Sequence, residues 1–406
     1  MNIEEQVTFL MQGTEYGDDD LKQAMADELY QRLTEAKRES RPLRVYCGFD
    51  PTTSDLHLGH TVPMRKLRQF QELGHEVVFL VGNYTSLVGD PSDHDKLRPQ
   101  LTVEQIAHNA QTYAEQAYKV LDRSKTIVRY NAEWLSELSF ADLIKLASNF
   151  TIQQFITREN FKLRWERGDA IYLHETFYAL MQGYDAYSLR ADVQVGGSDQ
   201  LYNIVTAARK LMVFLGQKPN IGIILGILPG TDGEVKMSKS LGNHIPLLST
   251  AEDMYGKVMS IPDKAMGSYF RLVTRWTPPE IQTLESGMAE GRLHPRDVKM
   301  KLAREIVSIY HSEEAAARAE ESFIRIFQQG SLPEEMPAYS LQPGQTVLDV
   351  LVTAKLVSSK SEGRRMIQQS GVRLDRQRLT DPNQLFPHPG ILQTGKRRFL
   401  RVTGSK

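Results

Sequence analysis

The strongest constraint on this chain's fold is a run of short apolar segments that alternate with helical ones. Leu43–Phe49 (LRVYCGF) and Glu76–Val81 (EVVFLV) are too short for buried helices and rich in β-branched and aromatic residues, so they read as buried strands. A helix is expected between them, from about Leu58 to Leu73, ending at Gly74. The pattern continues with a helix near Val103–Leu121, a strand near Thr126–Arg129, and helical segments over Phe140–Leu189. It closes with a strand at Asp192–Val195, a helix over Gln200–Leu215 and a strand at Ile221–Leu225. This order predicts a parallel sheet covered by helices. After Asn243 strand signals stop, and Ala251–Gln329 reads helical with proline breaks at Pro262 and Pro278–Pro279. The stretch 332–344 holds three prolines and reads as a linker. The expected architecture is α/β: a parallel-sheet domain over 1–243 with a helical insertion at about 140–190, a helical domain over 244–331, the linker, and a small α+β module over 345–406.

Charge separates the last module from the rest. The net charge is −1, but Thr346–Lys406 carries eight Arg and four Lys against four acidic residues, which makes that segment +8 and leaves −9 for the remainder. Such asymmetry suggests a basic nucleic-acid module on an acidic body. Cys47 is the only cysteine, so no intrachain disulfide or cysteine metal cluster can form. The acidic start and the lack of a long uncharged apolar run argue against a secretory signal or a membrane span. A reducing cytoplasm is the expected location.

Two short motifs carry the chemistry. His57-Leu58-Gly59-His60 opens a helix directly after a strand and loop. Free N–H groups at a helix start suit phosphate, and Gly59 leaves room for a flat group against the backbone. Lys236-Met237-Ser238-Lys239-Ser240 lies between glycines 230, 233 and 242. A loop of that kind can close over a polyphosphate and meet the negative charge of a leaving group. Alone, either motif would more often be an ordinary cap or a solvated basic loop.

Together they resemble the paired HIGH and KMSKS signatures of the class I aminoacyl-tRNA synthetases; only Leu58 departs, and it replaces an isoleucine of equal volume. Gly48-Phe49-Asp50-Pro51-Thr52 and Gly196-Gly197-Ser198-Asp199-Gln200 are similar to the branch that handles tyrosine and tryptophan. Tyr178-Ala179-Leu180-Met181-Gln182-Gly183-Tyr184-Asp185 resembles the pocket helix of its tyrosine-specific members, with Tyr178, Gln182 and Asp185 on one helical face.

That resemblance implies a Rossmann-like catalytic domain over 1–243 and the following roles. Asp90, Tyr178 and Gln182 would hold the α-amino group of tyrosine. Asp185 would accept from the phenol hydroxyl beside Tyr46, and Gln200 would lie near the carboxylate. Asp50, Thr52, Gly59, Gly197, Asp199, Lys239 and Ser240 would border ATP. His57, His60, Lys236 and Lys239, with Thr52, would act in the chemical step. ATP is implied as a substrate, Mg²⁺ through its phosphates and no prosthetic group. Implied partners are L-tyrosine, tRNA(Tyr) and a second copy of the chain, with Phe140–Leu173 at the interface, and no membrane.

The tail segment Leu348–Leu379 resembles the S4 RNA-binding fold, and Arg364 and Arg365 are its candidate RNA contacts. Gly363 stands where that family usually has alanine, at an expected cost of about 1 kcal/mol in helix stability. Two other readings stay open: a tryptophan-specific enzyme, opposed by Asp185, Tyr46 and the tail, and a non-catalytic RNA-binding relative, opposed by the intact signatures.

Overall fold

A computed structural model describes residues 1–51, 56–91, 102–156, 158–327, 336–357, 359–395 and 398–404. The chain forms two compact units, Met1–Ala317 and Arg318–Lys406.

In the first unit, β1 (Arg44–Phe49), β2 (Glu76–Val81), β3 (Thr126–Tyr130), β4 (Val193–Gly197) and β5 (Ile221–Leu225) form one sheet in the order β3-β2-β1-β4-β5. Every pairing is parallel. Parallel strands need cover on both faces, and the apolar runs supply it: all five residues of β5 are buried, as are five of six in β2. The chain builds outward from β1 to β2 and β3, then crosses back to place β4 on the other side of β1. Strand order therefore reverses between β1 and β4, and the crevice beyond their carboxyl ends is where such sheets bind ligands.

Two helices were not legible in the sequence, Ile3–Leu10 and Asp19–Arg38. The second is capped by Asp18, which accepts from the Asp20 and Leu21 N–H groups, and it buries Met25, Leu29, Leu33 and Ala36 on one stripe. Between these helices the chain covers the edge strand β5. Glu15 N–H donates to Ile224 O at 2.8 Å, Gly226 N–H to Gly13 O at 3.0 Å, and the Tyr16 hydroxyl to Gly222 O at 2.5 Å. An edge that would otherwise offer unpaired backbone groups is closed.

At the amino end of the sheet Asp192 gathers three donors. Arg32 Nη1 lies at 3.0 Å, Arg41 Nη1 at 2.8 Å and Arg44 N–H at 3.0 Å. Between β3 and β4 the chain is helical, as expected, ending in Leu173–Leu189. There Glu175 and Arg164 form a buried pair at 2.8 Å. After β5 come five helices, from Ala251–Met259 to Glu313–Phe327. Pro262 follows the first, and Pro278 occupies the first turn of a later one, where proline needs no N–H partner. The buried Tyr310 hydroxyl lies 2.7 Å from Thr61 Oγ1, so this helical part touches the residue just after His60.

The second unit holds β6 (Ala338–Ser340), β7 (Val372–Leu374), β8 (Gln377–Arg378), β9 (Gly390–Thr394) and β10 (Arg398–Thr403), in the order β6-β10-β9-β7-β8. The helices Val347–Thr353 and Lys360–Gln368 pack on it around Val350, Leu351, Ile367 and Leu392. The stretch 332–344 reads as a linker from sequence, but β6 lies in its second half and pairs in parallel with β10. A three-residue strand flanked by proline carries too little periodicity to be seen in sequence. Gly363 also proves to have a packing reason. A Cβ there would lie 2.6 Å from Leu348 Cδ1, so Leu348 fills the space that an alanine methyl would take.

Asp192→Ala should destabilise the protein by about 2–4 kcal/mol, because it removes the acceptor shared by two arginines and leaves the Arg44 N–H without it. Burial opposes ionisation of Asp192, but hydrogen bonds from Arg41, the Arg44 N–H and Arg32 outweigh it and hold its carboxyl below the usual aspartate value. A depressed folded-state pKa gives stability that is present above about pH 4 and lost as pH falls through the folded value. The gap in urea midpoint between wild type and Asp192→Ala should therefore shrink on acidification; a gap that widens would contradict this.

Candidate active site

The carboxyl ends of β1 and β4 deliver most of the expected residues to one crevice. Tyr46 is fully buried on β1, and Asp50 follows that strand directly. The helix Leu173–Leu189 lies across them. Its Tyr178 hydroxyl donates to Asp50 Oδ2 at 3.0 Å, and Asp50 Oδ1 accepts from Thr85 Oγ1 at 2.8 Å. One turn on, Gln182 O accepts from the Tyr46 hydroxyl at 3.5 Å, while the Gln182 Oε1 is buried with no partner. Asp90, from the loop after β2, accepts from Gln200 Nε2 at 2.5 Å, and Asn203 Nδ2 donates to Gln200 Oε1 at 3.0 Å. Gln200 ends the tight turn Ser198–Gln200 that leads from β4 into the next helix, whose stretch Tyr202–Ala208 is π-helical, an irregularity often found at functional sites.

Asp185 lies at the dry end of this crevice, 3 % exposed. Trp134 Nε1 donates to its Oδ1 at 2.7 Å and Asn131 Nδ2 to its Oδ2 at 3.2 Å. Burial pushes its carboxyl up to about 7, against the pull of those two donors. Tyr46 is close enough for the Asp185 charge to raise its phenol further above the value set by burial. No hydrogen bond joins Tyr46 and Asp185 among the described residues. A hydroxyl arriving between them would find an acceptor in one and a phenol in the other.

The mouth of the crevice holds the two signature motifs. Leu58–His60 forms a tight turn ahead of the helix Thr61–Glu72. His60 Nδ1 accepts from the His57 N–H at 3.2 Å, and the two rings lie 3.8 Å apart, beside the bare Gly59. Burial lowers His57 to about 3 and His60 to about 4, helped by nearby cations. Both rings are therefore neutral at pH 7, and the positive charge at the mouth comes from Lys236 and Lys239. Lys236 Nζ lies 3.4 Å from Asp199 Oδ2, two residues beyond Gly197 at the end of β4. Desolvation lowers the Lys236 ammonium. Lys239 and Ser240 are exposed, and Ser240 Oγ lies 2.9 Å from Ser238 Oγ.

The two motifs are tied through the backbone. Leu58 N–H donates to Ile245 O at 2.9 Å, and Leu247 N–H to Leu56 O at 3.0 Å. This short antiparallel ladder fixes the chain leaving the lysine loop against the chain entering the histidine turn.

Of the expected residues, Thr52 lies outside the described ones. Arg364 and Arg365 belong to the second unit, exposed on the helix Lys360–Gln368, whose Gly363 and Ile367 face inward. Sequence reasoning missed Asn131, Trp134 and Thr85. Each meets the site across a gap of 35 or more residues, and no local spacing signals that. Among the described residues no group of three His, Cys, Asp or Glu is placed to hold a metal. No helix of the described residues is long and apolar enough to cross a membrane.

Comparison with known proteins identifies the family. A family profile described as tRNA synthetases class I (W and Y) matches residues 37–328, and one described as S4 domain matches 346–387. A tyrosine–tRNA ligase of Desulfotalea psychrophila is 46% identical over 93% of this chain and 94% of its own length. One of Moorella thermoacetica is 45% identical, covering 93% and 92%. Among solved structures, an Archaeoglobus fulgidus tyrosyl-tRNA synthetase complexed with L-tyrosine superposes with a TM-score of 0.60 at 23% identity, over 79% of this chain and 100% of that one; at that identity the likeness speaks for the fold. With both signatures at one crevice and a profile match over most of its length, this chain belongs to the class I tRNA synthetases of the tryptophan and tyrosine type.

Proposed function

We propose that the chain is a tyrosine–tRNA ligase, and the observation that carries this reading is Asp185. Two protein donors already meet this carboxylate beside Tyr46 at the closed end of the crevice, and the hydroxyl of tyrosine would add a further hydrogen bond that offsets the cost of burying it. Phenylalanine would bring no hydroxyl to Asp185 and Tyr46 and so forgo that hydrogen bond, and tryptophan offers an N–H at a different reach. Tyr178, Gln182, Asp90 and Gln200 would hold the amino and carboxylate groups, leaving the carboxylate directed to the mouth. An assay of ATP–pyrophosphate exchange with tyrosine, tryptophan and phenylalanine tests this; turnover with tryptophan or phenylalanine equal to that with tyrosine would overturn it.

In the first step a tyrosine carboxylate oxygen attacks the α-phosphorus of ATP, the bond to the bridging oxygen breaks, and pyrophosphate leaves. No side chain need become covalently attached; the protein aligns the reactants and meets the developing charge. Lys236 and Lys239 supply the charge, and neutral His57 and His60 supply N–H groups. Asp50, Gly59, Gly197, Asp199, Ser240 and Thr52 would border the nucleotide. The mouth presents ammonium and imidazole groups, which are poor ligands for a hard cation, so Mg²⁺ would arrive held by the ATP phosphate oxygens. When bound, the ion would neutralise phosphate charge. In the second step a hydroxyl of the terminal tRNA ribose attacks the tyrosyl carbonyl and AMP leaves.

We read 1–243 as the catalytic domain, 244–331 as a helical tRNA-side domain and 345–406 as the RNA-binding module, with Arg364 and Arg365 on phosphates. We place the enzyme in the cytoplasm as a homodimer. Phe140, Ile152, Trp165 and Leu173 are 65–78 % exposed in the helical insertion, a density of apolar surface that fits a second copy. Sedimentation should show a dimer that Phe140→Lys with Leu173→Lys converts to monomer; an unchanged sedimentation coefficient would move the interface elsewhere.

Trp134→Phe should leave the fold intact but remove one donor that holds the Asp185 carboxylate ionised. The pH at which tyrosine activation is half-maximal, expected near 7, should rise in the variant, and preference over phenylalanine should weaken. A pH profile identical to wild type would contradict the role given to Asp185. A chain ending at residue 331 should retain tyrosine-dependent exchange, lose most tRNA charging, and show a shallower salt dependence of tRNA binding because fewer counterions are released. Retained charging would remove the second unit from its role as tRNA anchor.

A further inference from the structure

The loop that carries Lys236 and Lys239 is closed at its base by one side chain. Asn243 is 7 % exposed. Its Oδ1 accepts from the Ser238 N–H at 2.8 Å, between the two lysines. Its Nδ2 donates to Asp232 Oδ2 at 2.5 Å, and Lys236 O lies 3.3 Å from the same nitrogen. Its main-chain oxygen accepts from the Thr231 N–H at 2.8 Å. A single amide thus holds both limbs of the loop and its middle.

The surroundings are cut to fit that amide. Asp232 Oδ1 accepts from the N–H groups of Glu234 and Val235 at 2.8 and 2.9 Å, which leaves Oδ2 aimed at Asn243. Gly230 passes so close that a Cβ there would lie 2.2 Å from Asn243 Nδ2. Met237 is buried, with its N–H on Leu228 O at 3.0 Å, while the lysines flanking it are exposed. Just beyond Asn243 the chain enters the ladder with Leu56–Leu58. The clasp therefore sets the loop relative to the histidine turn as well as to itself.

We infer that Asn243, clasped to Asp232, is a positioning residue that presets the loop holding Lys236 and Lys239 for the departing pyrophosphate. This rests on the assignment of those lysines to the pyrophosphate. The chemistry requires an amide. Ser238 N–H needs an acceptor and Asp232 needs a donor, and only a side chain with both in one plane serves them together. Without the clasp the loop must be ordered during the reaction itself, and that entropy is added to the barrier. The tyrosine pocket is built on other elements, so its affinity should not feel the change.

Stopped-flow measurement of tyrosyl-adenylate formation at saturating tyrosine and ATP tests this, with tyrosine binding followed by fluorescence titration and folding by thermal melting. Asn243→Ala should slow the step about 10- to 100-fold while the tyrosine dissociation constant stays within about two-fold, as a pure alignment effect requires. Asn243→Asp sets a carboxylate against Asp232 and should be at least as slow. The exchanged pair Asp232→Asn with Asn243→Asp restores donor to acceptor and should recover most of the rate; this comparison also decides the matter if Asn243→Ala fails to fold. The clasp is overturned if the Asn243 variants keep the wild-type rate, if the exchanged pair is no faster than Asn243→Asp alone, or if tyrosine affinity falls in step with rate. Lys239→Ala in the same assay separates the two assignments. A slow Lys239→Ala beside a normal Asn243→Ala overturns the clasp alone, whereas a normal Lys239→Ala overturns the lysine assignment and the clasp with it.

Discussion

Everything at the site depends on β1 pairing with β2 on one side and β4 on the other. Connections leave those two neighbours in opposite senses, and no helix can fill the gap above their carboxyl ends. Into that gap the sequence places Asp50 after β1, Asp199 and Gln200 after β4, and the histidine turn at the start of the next helix. The helix Leu173–Leu189 then closes the crevice from the side, because Tyr46, Ala186, Leu189, Ala208 and Met212 form one buried cluster beneath it. Tyr46 serves both purposes, with its ring in the core and its hydroxyl at the pocket.

Polarity is graded along the crevice. At the dry end burial raises a carboxyl to about 7 against the pull of two donors. At the mouth two histidines are kept neutral, and exposed lysines provide the charge. Such a gradient suits a substrate with a weak hydroxyl donor at one end and a polyphosphate at the other. It also keeps the histidines from competing with the lysines as cations, since like charges packed 3.8 Å apart would repel.

Much of this was legible in the sequence. The five strands, the helical insertion and both signature motifs stand where apolar runs and short residue patterns put them, because strand burial and helix starts are local properties. The polar residues around Asp185 were not legible. Trp134 and Asn131 reach it from the turn after β3, and only the sheet order brings that turn to the pocket. The N-terminal helices escaped notice for a different reason. Their acidic start speaks only against a secretory signal, yet Leu29 and Leu33 are buried, and Gly13–Glu15 covers the edge of β5. The strand Ala338–Ser340 was hidden because three residues carry no period, and it exists only through its pairing with β10.

The claim that joins these features is that one crevice makes and holds an aminoacyl-adenylate. Mixing the protein with ATP, Mg²⁺ and radiolabelled tyrosine in the absence of tRNA, followed by rapid gel filtration, measures this directly. The account predicts protein-bound tyrosyl-adenylate that is chased to tyrosyl-tRNA when tRNA is added, with no comparable complex from phenylalanine. Failure to retain any adenylate, or equal retention with phenylalanine, would contradict it.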